Sequence, residues 1–153
     1  MKKHFSVWII CVLFLPLMAC SPQEKKSLAL SKPICLSTQS ECQIQTSFGT
    51  LSVLFDRERI TPEVEFSIFV GNKQLNTPII VTGYMEGKSM YMGKIPLFFS
   101  QQPTQGMYMT NTLLGSCTDK KMEWLLHLNI KPLDADKNIK PEVFTVTFAS
   151  IRE

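Results

Sequence analysis

Short apolar runs alternating with polar residues fill this chain from about residue 42 to its end, and none carries the period of an amphipathic helix. Between Glu63 and Val70, the residues Val64, Phe66, Ile68 and Val70 share one phase, while Glu63, Glu65 and Ser67 share the other. That alternation predicts a strand with one buried face. Lys121 to Ile130 repeats it, with Met122, Trp124, Leu126, Leu128 and Ile130 predicted inward and Glu123, His127 and Asn129 outward. Glu142 to Ile151 does so again, Phe144, Val146 and Phe148 alternating with Thr145 and Thr147. Further strands are predicted over Cys42–Thr46, Thr50–Phe55, Thr77–Tyr84, Ile95–Ser100 and Met107–Leu114. Turn signals separate them at Phe48-Gly49, Gly71-Asn72, Glu86-Gly87-Lys88, Gln102-Pro103, Gly115-Ser116 and the polar stretch Pro132–Pro141.

Seven to eight short strands with frequent turns and no amphipathic helix predict an all-β fold, an immunoglobulin-like antiparallel β-sandwich spanning 42–153. A small closed β-barrel is the alternative. Trp124 on an inward phase suits either.

The first residues read differently. Lys2 and Lys3 precede an apolar run from Val7 to Met18 that ends on the small residue Ala19, the layout of an export signal. The run is shorter than the roughly 20 apolar residues needed to cross a bilayer. Leu17-Met18-Ala19-Cys20 resembles the lipobox of bacterial lipoproteins. The resemblance implies that residues 1–19 are a signal peptide and that Cys20 becomes the acylated first residue of a lipoprotein of the cell envelope. Two or more acyl chains anchor a soluble domain stably. In a Gram-negative cell, Ser21 after the acylated cysteine resembles lipoproteins sent to the outer membrane, facing the periplasm. Residues 20–41 read as a polar tether, with Pro22 and Pro33 discouraging helix.

Taking Lys2 and Lys3 from the 16 basic residues leaves 14 against 13 acidic ones, and the only paired lysines are then Lys25-Lys26 and Lys120-Lys121. Without a basic patch, nucleic acid is not an expected partner. Three cysteines remain beyond Cys20, and export to an oxidising compartment predicts one disulfide and one spare thiol. Cys35 with Cys42 would pin the tether to the first strand and leave Cys117 free as a thiol or ligand. Cys42 with Cys117 is the rival, and spacing does not choose between them.

Methionine carries the candidate chemistry. Five of the six methionines after the signal fall between Met85 and Met109, with Met-x-Met pairs at Met90/Met92 and Met107/Met109. Residues two apart on a strand point the same way and sit about 6.5 Å apart, so each pair could converge on one ion. Thioether sulfur is soft and selects Cu(I), and Cys117 or His127 could complete such a site. Alternate methionines also suit a buried sheet face, because the side chain is an adaptable filler.

Val81-x-Gly83-Tyr84-Met85, then Met90-x-Met92-Gly93-x-Ile95-Pro96, Gly106-Met107-Tyr108 and Met122-x-Trp124 are together similar to the layout of FixH and YtkA-like proteins. The resemblance covers about Ile79 to Leu128. It implies an immunoglobulin-like domain handling copper for respiratory oxidases, with Met85, Met90, Met92, Met107 and Met109 as candidate Cu(I) ligands and an envelope copper-handling protein as partner. The chain departs from the pattern in having no histidine near the methionines and in carrying Cys117 just before the tryptophan strand.

An enzyme is not expected. Cys117, His127 and Asp119 offer a thiol, a base and a carboxylate, but no oxyanion or phosphate-cradling motif accompanies them. Asp56-Arg57-Glu58-Arg59 reads as a solvated turn. The rival to the copper reading is a structural or interaction lipoprotein that binds another envelope protein without metal.

Overall fold

In the computed structural model, the described residues are 34–35, 40–75, 77–104, 106–136 and 139–152. Residues 1–19, read above as a signal peptide, and Cys20 lie outside them.

The strands form in chain order as β1 (Ile34–Cys35), β2 (Glu41–Thr46), β3 (Gly49–Phe55), β4 (Phe66–Gly71), β5 (Ile79–Gly87), β6 (Lys94–Phe98), β7 (Ser100–Gln101), β8 (Met107–Thr112), β9 (Lys121–Pro132) and β10 (Glu142–Ile151). One sheet has the order β1-β2-β3-β4-β8-β7 and the other β10-β9-β5-β6, with every neighbouring pair antiparallel. The chain crosses between sheets after β4, β6 and β8, which makes an immunoglobulin-like sandwich and not a closed barrel. No helix occurs among the described residues.

The core is the apolar phase of each strand. Ile44, Leu51, Val53, Phe66, Ile68 and Val70 face Val81, Leu126, Leu128, Ile130, Phe144, Val146 and Phe148 across the sandwich, all buried. Phe55, Phe66 and Phe148 meet with ring centroids 5.1 to 6.4 Å apart, distances at which tilted aromatic pairs attract beyond their burial. Trp124 is fully buried, and its indole N–H donates to Ser150 Oγ at 3.0 Å. This bond satisfies both polar groups inside the core.

Two predicted strands are altered. The strand expected from Glu63 begins only at Phe66, because Glu63 adopts φ of 63° and Val64 N–H turns back to the Thr61 carbonyl. Val64 is therefore 44% exposed instead of inward. The run expected over Ile95–Ser100 divides into β6 and β7, since the chain passes from one sheet to the other at Phe99. β1 and the start of β2 fall inside the stretch read as tether. The disulfide there joins Cys35 to Cys42, which stand opposite each other in the β1–β2 register. Among the described residues, Cys117 is the free thiol, and it is buried.

The sandwich has two distinct ends. At one, the β2–β3 turn and the β9–β10 connection are tied together by Ser47 N–H donating to Glu142 at 3.1 Å. At the other lie residues 88–93 between β5 and β6, residues 113–120 between β8 and β9, and the end of β10. Replacing Trp124 with Phe leaves the Ser150 hydroxyl buried without its donor, a loss of about 1–3 kcal/mol. Urea unfolding should show a lower midpoint at unchanged slope; an unchanged midpoint would show that the bond contributes nothing.

Candidate soft-metal site

The end formed by residues 88–93 and 113–120 gathers sulfur. Cys117 is buried and its thiol donates to Met90 Sδ at 3.4 Å. Met90 belongs to the connection after β5, so its position depends on how that connection folds back. Gly87 permits the fold: a Cβ there would overlap both the Met90 carbonyl oxygen and Met122 Cε. Met122, buried on the inward phase of β9, thereby comes to the same corner. Met92 is half-buried against the core, and a Cβ on Gly115 would lie 3.7 Å from its Cε. Met90 and Cys117 thus touch, with Met92 beside Gly115 and Met122 beside Gly87.

Hydrogen bonds hold both connections in place. Lys88 N–H donates to the Glu123 carbonyl at 2.9 Å, and Lys88 Nζ reaches the Glu123 carboxylate at 2.8 Å. The Lys88 ammonium, first by hydrogen bond and then by its charge, holds the Glu123 carboxyl below the ordinary glutamate range. On the other side, Arg152 donates to the Cys117 carbonyl at 2.9 Å and to the Thr118 carbonyl at 3.0 Å. A guanidinium fork spanning two successive carbonyls sets the backbone of this bend.

The remaining predicted ligands are elsewhere. Met85 is fully buried on β5, paired in register with Ile95 and Leu126, and serves the core. Met107 and Met109 share a face as their spacing predicts, but it is the outer face of the opposite sheet. Tyr108 and Thr110 take the inward phase of β8, where Tyr108 OH accepts from Ile79 N–H at 2.9 Å. Met107 instead lines a shallow groove with Lys73, Gln102 and Pro103. The five methionines therefore do not converge. Met90 touches Cys117, while Met92 and Met122, the latter read from periodicity only as a core residue, lie at the same end of the sandwich. The position of Met122 five residues after Cys117, at the start of its strand, was the available signal.

His127 does not complete the corner. It stands on the outer face of its sheet, stacked on Tyr84 with centroids 4.6 Å apart. Its Nε2 meets Glu86 at 3.0 Å and its Nδ1 meets Thr145 Oγ1 at 3.1 Å, while Lys94 Nζ lies 4.3 Å from the centre of the Tyr84 ring. This cross-strand network uses both ring nitrogens, and the imidazole stands on the outer face of its sheet while the Cys117 thiol is buried at the corner.

No family model and no curated protein matches the chain. Among solved structures, it is similar to a DUF4426 family protein from Pseudomonas aeruginosa PAO1, with TM-score 0.52 and 14% identity, covering 75% of this chain and 98% of that one. It is also similar to part of a DUF4785 family protein from Legionella pneumophila, with TM-score 0.50 and 13% identity, over 71% of this chain and 29% of the longer one. These likenesses show the sandwich fold.

Because the folded Glu123 carboxyl titrates below its unfolded value, the stability it contributes is present above the ordinary glutamate range and is lost as pH falls through the lowered value. Acidification from neutrality through that range should lower the protection factor of the Lys88 amide, taken against its intrinsic exchange rate at each pH, and Glu123→Gln should remove this change in protection. An identical acid response in the variant would show that another group controls this connection.

Proposed function

We propose that this chain is a membrane-anchored lipoprotein of the cell envelope, acylated at Cys20, whose sandwich binds Cu(I) at the corner of Met90 and Cys117, with Met92 and Met122 beside them. The 3.4 Å contact between the Cys117 thiol and the Met90 thioether carries the reading. A thiol and thioethers are soft donors that favour Cu(I) over ions preferring oxygen or nitrogen. Cys117 and Met90 would hold the ion, with Met92 and Met122 as the adjacent thioethers. The cargo would pass to or from an envelope copper-handling partner. Met90 is 40% exposed and Tyr91 81% exposed, so the corner is open to an approaching surface.

That exposure also favours a second reading, an interaction lipoprotein that uses the same end without metal. Titration of the reduced protein with Cu(I) against a competing chelator separates the two. Binding should saturate at one ion per chain. Met90→Leu and Cys117→Ala should each weaken it at least about tenfold, or about 1.4 kcal/mol, while Met107→Leu/Met109→Leu should leave it unchanged. Equal binding by the parent and both corner variants would remove the Cu(I) site, and the interaction reading would stand.

A further inference from the structure

A strand at the edge of a sheet offers unpaired N–H and C=O groups as a template for another strand, and folded chains blunt such edges with short length, proline or charge. Three of the four outer strands here are blunted. β1 and β7, outermost in one sheet, are each two residues long. β6, outermost in the other, starts at Lys94 and carries Pro96 at its centre, and a proline has no N–H to give a new neighbour. β10 has none of these devices. It runs for 10 residues, pairs with β9 along all of them, and holds neither proline nor charge between Glu142 and Arg152.

Which groups β10 leaves open follows from its register. Ile151 N–H donates away from β9, to the Ile60 carbonyl at 2.9 Å, while Arg152 N–H donates on the β9 side, to the Lys120 carbonyl at 2.9 Å. Backbone groups alternate sides along a strand in this way, so Val143, Thr145 and Thr147 turn theirs away from β9 as Ile151 does. The bridge between Ile60 and Ser150 covers the edge at its far end. Over Val143–Thr147, no described residue bonds to the outward backbone groups. The side chains of Val143, Thr145 and Thr147 are exposed as well, on the outer face.

A second copy of the chain fits this open stretch. Antiparallel pairing about a two-fold axis at Thr145 sets Thr145 against the partner's Thr145 and Val143 against the partner's Thr147, each facing pair exchanging two backbone bonds. These are β-branched residues suited to cross-strand contact, and no charge meets a like charge. With 16 basic against 13 acidic residues, little net charge opposes association. We propose that β10 pairs with β10 of a second copy about Thr145, joining the two four-stranded sheets into one continuous sheet. The pairing uses the one unblunted edge of each copy and leaves β6 outermost, so association closes at a dimer. Because β10 leads to Arg152 beside the Cys117 carbonyl, and the two copies run in opposite directions, the two sulfur corners stand at opposite ends of the dimer.

Cysteine cross-linking on the full chain as isolated from cells tests the pairing. Facing residues in a hydrogen-bonded pair have Cα atoms about 5.5 Å apart, within disulfide reach, so Thr145→Cys should become mostly linked dimer under mild oxidation. Thr147→Cys is as exposed but lies roughly 14 Å from its counterpart across this axis, and should stay monomeric like the parent. No linkage in Thr145→Cys, or equal linkage in both variants, would overturn the proposal. Sedimentation equilibrium reads the same contact without a new thiol. The parent should sediment at twice the chain mass, and Val143→Lys/Thr147→Lys, which sets like charges face to face, should raise the dimer Kd at least about tenfold. Val143→Glu/Thr147→Lys sets opposite charges there and should dimerise as the parent does. Equal weakening in both double variants, or a monomeric parent, would overturn the proposal; slow amide exchange at Val143 and Thr145 in that monomer would assign the edge to another segment of the same chain.

Discussion

β9 is the strand on which the other parts depend. It pairs with β10 along one edge and with β5 along the other, and its inward phase places Met122, Trp124, Leu126, Leu128 and Ile130 in the core. Burying five large side chains on one strand fixes its register, because a slip by one residue would turn every one of them to solvent. The Trp124–Ser150 bond adds a polar constraint to the apolar one, aligning β10 on β9 at the end where the sulfurs collect. From that alignment follows the position of Arg152, one residue beyond β10, and with it the hold on the Cys117 carbonyl.

The sulfur corner is thus a consequence of how strands end. β5 stops at Gly87, the following residues fold back over a position with no side chain, and Met90 descends onto the connection leading into β9. Lys88 clamps one connection to Glu123 and Arg152 clamps the other. Two backbones held independently bring a thiol and a thioether together in a half-open position, and the disulfide fixes β1 beside the start of β2.

Much of the fold was legible in the pattern of residues. β9 and β10 are long, one face is fully buried, and strict alternation reported both correctly. The start of β4 was hidden because alternation runs on through Glu63 and Val64, although Glu63 has left-handed backbone there; hydropathy does not register φ. The break between β6 and β7 was hidden because a chain changing sheets can remain extended. For the site, Met-x-Met spacing predicted correctly that Met107 and Met109 share a face, but not that the face is external, since that is settled by Tyr108 and Thr110 pointing inward. Met122 was legible only as core because periodicity reports which side a residue faces and not how near it lies to the strand's end. The choice of Cys35 over Cys117 as the partner of Cys42 likewise needed the cross-strand register.

The central claim is that Met90 and Cys117 form the heart of a soft-metal site. X-ray absorption at the copper edge on the protein loaded with one equivalent of Cu(I) tests it most directly. The account predicts a first shell of sulfur alone, losing scatterers in both Met90→Leu and Cys117→Ala. A shell of nitrogen or oxygen, or spectra identical in the parent and both variants, would contradict it.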